Sequence, residues 1–154
     1  MPIIEQHLQA TRITHGPHHF FGYYDKSPWD ASGRYVLALA VDFIDRQPTP
    51  QDAATISLLD TQHDNGWRAL AETHAWNWQQ GAMLQWLPTE PDRKIIYNQR
   101  EGDRYISVIR DIHSGEKRTL PIPIYALNGS QALSLNFSRL HRLRPGYGYV
   151  GMPD

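Results

Sequence analysis

Short apolar runs separated by turn-forming residues set the pattern of this chain. The clearest run is Tyr35 to Val41, inside a branched and aromatic stretch from Arg34 to Phe43, and it predicts one buried strand. A turn, Ser27 to Gly33, precedes it. There Pro28 fixes its own φ, Asp30 and Ser32 can bond nearby amides, and Gly33 permits positive φ. Upstream, Phe20 to Tyr24 is aromatic enough for a short strand. Residues 1–14 alternate weakly through Ile3, Ile4, Leu8 and Ile13, and Gly16-Pro17 interrupts them. Downstream come a polar loop carrying Pro48 and Pro50, a strand from Ala54 to Asp60, a hairpin signal at His63-Asp-Asn-Gly66 and a strand from Trp67 to Thr73.

The plan then repeats. Gly81 to Leu87 reads as a short apolar strand and Pro88 to Arg93 as a turn. Strands follow over Lys94–Gln99 and Tyr105–Asp111, with tight turns at Glu101–Asp103 and His113–Lys117. Arg118 to Ala126 is a last extended run, and Pro121 and Pro123 suit an edge strand. After Asn128-Gly129, Ala132 to Ser138 reads as the start of a third copy. No stretch shows a helical period. Pro28 and Pro88 lie 60 positions apart, and Trp86 and Phe137, each placed at the end of an inner-type strand, lie 51 apart. Periods of this order with about four strands each predict an all-β fold of β-propeller blades, present as about two blades and the start of a third. The boundaries expected are an N-terminal segment at 1–14, blade one at 15–76, blade two at 77–127 and the start of blade three at 128–154. Two blades cannot close a ring, so the expectation is a part of a longer protein. The alternative is a complete β-sandwich or small all-β domain of 154 residues.

Composition narrows the chemistry. The net charge of −1 offers no domain-wide field for nucleic acid or an anionic bilayer. With no cysteine, disulfides, thiolate nucleophiles and cysteine–zinc sites are excluded. Neither a secretion signal nor a membrane-length apolar run is legible, which gives a soluble, cytoplasmic protein as the expectation, with oligomeric state open. No Gly-x-Ser-x-Gly elbow or phosphate-cradling glycine loop is present.

The motifs resemble a family. Asp25-Lys-Ser-Pro-Trp-Asp-Ala-Ser-Gly-Arg-Tyr-Val-Leu37 resembles the repeat of TolB-like propellers, where Ser-Pro-Asp-Gly-Lys/Arg precedes an apolar strand; here Trp29 is inserted and Ala-Ser separates Asp30 from Gly33. Asp111-Ile-His-Ser-Gly-Glu-Lys117 is similar to the Asp-x-x-Thr-Gly-Glu turn of the same repeats. Over about 25 residues, His19 to Arg34 and its surroundings also resemble the opening of oligogalacturonate lyases, which carry a His-x-x-Tyr-Phe-Tyr-x-Lys segment before their first turn. Together with Trp76 to Gly81 and Arg144 to Tyr149, the stretch looks like a group of uncharacterised bacterial propeller proteins, which implies no activity. The lyases use a histidine and glutamine metal site and a basic residue for proton abstraction. A divalent metal is therefore possible by analogy, but none of its ligands can be placed in this chain.

The candidate chemistry follows. His15, His18 and His19 could ligate a metal or abstract a proton, but no carboxylate at fixed spacing accompanies them, and strand geometry turns His18 and His19 to opposite sides. Alternation pairs Tyr24 with Lys26 on one side and Tyr23 with Asp25 on the other. Lys26 could bind a sugar carboxylate, or simply pair with Asp25. Trp78 could stack on a sugar ring while Gln79 and Gln80 bond its hydroxyls; equally, Trp76 and Trp78 could plug the gap between sheets. Arg139 to Arg144 could hold an anionic group, but reads first as a solvated loop. The resulting expectation is a carbohydrate-related propeller that recognises an acidic oligosaccharide. In it His19 would be the base for β-elimination, His18, Tyr24, Lys26, Trp78, Gln79 and Gln80 the binding residues, and a small saccharide or glycan the partner. The rival is a non-catalytic module binding a protein or glycan.

Overall fold

The computed structural model describes residues 9–64 and 66–154. Ile3, Ile4 and Leu8 of the expected N-terminal segment, and Asn65 of the hairpin signal, lie outside them. The described chain is mostly β. Strands β1 (His18–Phe20), β2 (Tyr35–Val41), β3 (Ala54–Asp60) and β4 (Gly66–Thr73) form one antiparallel sheet in chain order. Strands β5 (Gln85–Trp86), β6 (Lys94–Glu101), β7 (Arg104–Asp111) and β8 (Lys117–Leu120) form a second in the same order. A two-stranded hairpin, β9 (Ala126–Asn128) with β10 (Gln131–Leu133), precedes a helix, α1 (Phe137–Leu143).

Pairing register sorts the side chains onto faces. Leu37, Leu39, Val41, Ile56 and Leu58 of the first sheet meet Ile95, Tyr97, Ile106 and Val108 of the second in one core. The other face of the first sheet carries Val36, Ala38 and Leu59, with Ile13 packed against them. Because β2 is buried on both faces, its sequence is apolar throughout rather than alternating. Behind the second sheet, Tyr105 packs with Met83, Phe137 and Tyr149, and the last two rings stack with centroids 4.2 Å apart.

The two sheets share a turn chemistry. The Asp60 carboxylate accepts a forked pair of bonds from Arg34 (2.9 and 2.6 Å), and Asp111 accepts one from Arg93 (2.5 Å). Thr61 donates its amide to the Arg34 carbonyl, and Ile112 donates likewise to Arg93, each at 3.0 Å. Arg34 and Arg93 are therefore equivalent positions, as are Asp60 and Asp111. The turn before β2 is built as its residues dictate: Asp30 Oδ1 accepts the Tyr35 amide at 2.8 Å, the Ser32 hydroxyl also donates to that carboxylate, and Gly33 has a φ of 72°.

These carboxylates make stability acid-sensitive. The amides of Ser114 and His113, with the Arg93 guanidinium, hold Asp111 well below the usual carboxylate range. The Arg34 guanidinium, then the Gln62 amide, does the same for Asp60, and Arg46 does so for Asp52. A pKa lowered by folding means that the folded state binds fewer protons. The stabilisation is thus complete above the unfolded value of about 4 and is lost as pH falls through it toward the folded values. Urea unfolding should show stability dropping below about pH 4, and Asp111→Asn should lower stability at neutral pH while flattening that drop. An unchanged acid slope in the variant would refute this role.

Several expectations are corrected. The strand read over Phe20 to Tyr24 ends at Phe20; residues 21–28 leave the sheet, and the chain rejoins it where Trp29 bridges Val36. The alternation expected for Tyr23 to Lys26 is therefore not realised. The run from Gly81 to Leu87 pairs only over Gln85–Trp86, because Gly81 and Met83 adopt left-handed backbone, with φ of 59° and 50°. The Arg118 run stops at Leu120, where Pro121 cannot donate to a ladder. Ala132 to Ser138 is not one strand: β10 ends at Leu133, and Phe137 opens a helix. Phe137 is therefore not the counterpart of Trp86, and residues 139–143 are helical rather than a loop. Asn136 explains the switch, since its side chain accepts the Arg139 amide at 2.9 Å as an N-cap. His141 and Arg142 suit the negative end of the last turn.

Candidate functional site

The segment that leaves the first sheet at residues 21–28 lies along the turn that enters the second. Gly22 permits this: a Cβ there would stand 2.5 Å from the Gln80 carbonyl oxygen, so no larger residue fits without shifting backbone. Beyond Gly22 the rings of Tyr23 and Tyr24 pack together at 4.3 Å. Lys26 donates its amide to the Tyr23 carbonyl (3.3 Å) and its ammonium to Asp25 (2.9 Å). The same ammonium lies 5.6 Å from the centre of the Tyr125 ring, within cation–π reach. The Lys26 side chain is only 10% exposed, while Tyr24 is 87% exposed.

The facing turn is organised by Asn77. Its Oδ1 accepts the amides of Gln79 (3.0 Å) and Gln80 (2.8 Å), and its Nδ2 donates to the carbonyls of Tyr147 (2.9 Å) and Gly148 (3.2 Å). Held in this way, Gln80 is 5% exposed and reaches toward the Tyr125 hydroxyl at 3.5 Å. Its Oε1 is buried with no partner among the described residues. Arg144 lies over the Tyr147 ring at 3.8 Å. The Tyr23 phenol is pushed up from its ordinary pKa, first by hydrogen bonding with Tyr24, while the charge of Arg144 pulls it down. The face thus combines two cations, three phenols and an amide acceptor that has spent nothing.

Tyr24, Lys26 and Gln80 come together there, with Gln79 exposed on the same turn. The other expected residues stand elsewhere. His15 is exposed ahead of β1, and His18 is exposed on β1. His19 faces the opposite way from His18, since the two pair with Ala40 and Val41 on opposite faces. Its ring sits edge-on to Trp67 at 5.4 Å, with both nitrogens buried and unpartnered among the described residues. Trp78 packs with Phe20 and Trp76, both at 5.1 Å, and donates its indole N–H to the Arg46 carbonyl. In that position it fills the core edge. Sequence reasoning did not single out Tyr125, and it set the anion-holding reading of residues 139–144 behind that of a solvated loop. Tyr125 follows a proline-broken stretch with no signal of its own, and the arginine stretch ending at Arg144 read as solvated.

Two cavities lie away from this face: a groove of about 430 Å³ along Pro17, Asp42, Gln51 and Trp67, and one of about 260 Å³ along Lys94, Ile109 and Lys117. Neither brings cations and phenols to one place. Among the described residues no group of three histidine or acidic side chains could hold a metal ion, and no helix is long and apolar enough to cross a membrane. No family model, curated protein or solved structure matches the chain.

Proposed function

We propose that each four-stranded sheet is a blade of a TolB-like propeller and that the face around Lys26 recognises an acidic saccharide. The repeated strand order and the repeated arginine–aspartate turn support the blade reading. Recognition is carried by one observation: the Lys26 ammonium is held over the ring of Tyr125, whose hydroxyl accepts from the Gln80 side chain. A sugar carboxylate would take the place of Asp25 on the ammonium, a charge-assisted bond of the strong kind. The exposed Gln79 side chain would bond a hydroxyl, and the exposed Tyr24 ring offers a flat face for a pyranose. Recognition rather than cleavage is what these side chains support. β-Elimination needs a base beside the acidic carbon, whereas the His19 ring rests on Trp67.

The test is calorimetric titration with trigalacturonate and with a neutral trisaccharide. The expected result is saturable binding of the acidic sugar alone, weakened about tenfold or more by Lys26→Ala, since a charged hydrogen bond contributes about 1.5–3 kcal/mol. Equal binding by the variant, or none by the wild type, would sink the reading. Growth of ultraviolet absorbance from an unsaturated product, abolished by His19→Ala, would show cleavage instead.

A further inference from the structure

We infer that the segment from Arg144 to Val150 supplies the second half of this face, with Arg144 as a further anion-binding residue and Asn77 as the positioning residue that ties it to Gln80. The inference rests on the saccharide reading for its ligand but on separate contacts for its geometry. Three arginines lie close together here. Arg139 and Arg142 are committed to Asp154, at 3.2 Å and at 2.9 and 2.6 Å. Arg144 has no carboxylate partner among the described residues. Its guanidinium lies on the Tyr147 ring, an arrangement that leaves its N–H edges free.

The segment is pinned at its C-terminal end. The Tyr149 amide donates to the Phe137 carbonyl (3.2 Å), Asn98 Nδ2 donates to the Tyr149 hydroxyl (3.0 Å), and the Tyr105 hydroxyl donates to the Val150 carbonyl (2.8 Å). Asn77 then uses its whole amide: the oxygen shapes the turn carrying Gln80, and the nitrogen holds the carbonyls of Tyr147 and Gly148. Turn and segment therefore keep one register, and the segment carries Arg144 three residues before the carbonyl of Tyr147 that Asn77 holds. A ligand with two carboxylates, such as a di- or trigalacturonate, can engage both cations, whereas a monouronate engages one.

Asn77→Asp separates the two halves, because a carboxylate still accepts the turn amides but cannot donate to the segment. Three measurements on the full chain test the inference: trigalacturonate affinity, affinity for monomeric galacturonate, and amide exchange of Tyr149. Arg144→Ala should weaken trigalacturonate binding about tenfold while leaving monomer affinity nearly unchanged, and Arg118→Ala on β8 should change neither. Asn77→Asp should speed Tyr149 exchange, leave the Gln80 amide protected and weaken trigalacturonate to the same extent as Arg144→Ala. Wild-type binding unaffected by either variant would overturn the inference and leave the Lys26 reading standing. Absence of wild-type binding would overturn both.

Discussion

Asn98→Ala should destabilise the protein by roughly 3–5 kcal/mol, among the largest effects of any single change in this chain. Asn98 is fully buried on β6 and spends every polar atom it has. Its Oδ1 accepts from the Ile124 amide (2.7 Å) and the Ser107 hydroxyl (3.2 Å); its Nδ2 donates to the Ile124 carbonyl (2.8 Å) and the Tyr149 hydroxyl (3.0 Å). Its own carbonyl accepts from the Thr73 hydroxyl at 2.7 Å. Truncation leaves several buried groups without partners, and each orphan costs about 1–3 kcal/mol. The Tyr149 phenol already shows how dry the site is, because burial pushes its pKa far above the ordinary value.

Sheet equivalence sharpens this expectation. Counting from the matched arginines and aspartates, Asn98 and its cross-strand partner Ser107 occupy the positions held in the first sheet by Leu39 and its partner Ile56. The double variant Asn98→Leu with Ser107→Ile would restore the first sheet's apolar pair. It should remain destabilised, since the Ile124 and Tyr149 groups still lose their partners. Urea unfolding of both variants decides the matter. A double variant as stable as wild type would mean that the polar pair contributes nothing beyond its volume.

Gly148→Ala should release the end of the chain from the helix. A Cβ at this position would fall well inside van der Waals contact with the His141 amide nitrogen and the Phe137 carbonyl oxygen, both backbone atoms that no rotamer change can move. The segment must therefore lift, breaking the Tyr149-to-Phe137 bond, the stacked Phe137–Tyr149 pair and the Tyr105 bond to Val150. A loss of roughly 2–4 kcal/mol is expected from overpacking with the lost aromatic burial. Tyr105, whose hydroxyl is pushed up to about 12 by burial, should titrate closer to its ordinary value of about 10 in the variant, read by ultraviolet difference absorbance. Unchanged stability and titration would show that the contact is not tight.

The strands that were legible share one physical property. Ala54–Asp60, Lys94–Glu101 and Arg104–Asp111 pair along their whole length, so their apolar positions, branched residues and flanking turns all favour the same state. The misread segments are those where local signals conflict. Gly81 to Leu87 is apolar but carries two left-handed residues that break its pairing. Phe137 to Leu143 spans only seven residues, too short for a helical period to stand out, and depends on an asparagine cap and on the ring of Tyr149. The candidate face was legible residue by residue at Lys26, Tyr24 and Gln80 but not as a face. Tyr125 and Arg144 reach it only through packing.

By itself the sequence determined a mostly β chain of short strands joined by turns, because burial period and turn residues act over a few positions. Only the tertiary structure decided which aromatic rings face solvent and which fill the core. Trp78 and Tyr24 are both aromatic residues in loops, yet one spends its N–H on Arg46 and the other keeps its ring in solvent. Only tertiary structure could likewise bring the Lys26 ammonium over the ring of Tyr125, distant in sequence. A side chain's neighbours depend on chain closure over many tens of residues, and local composition carries no record of that closure.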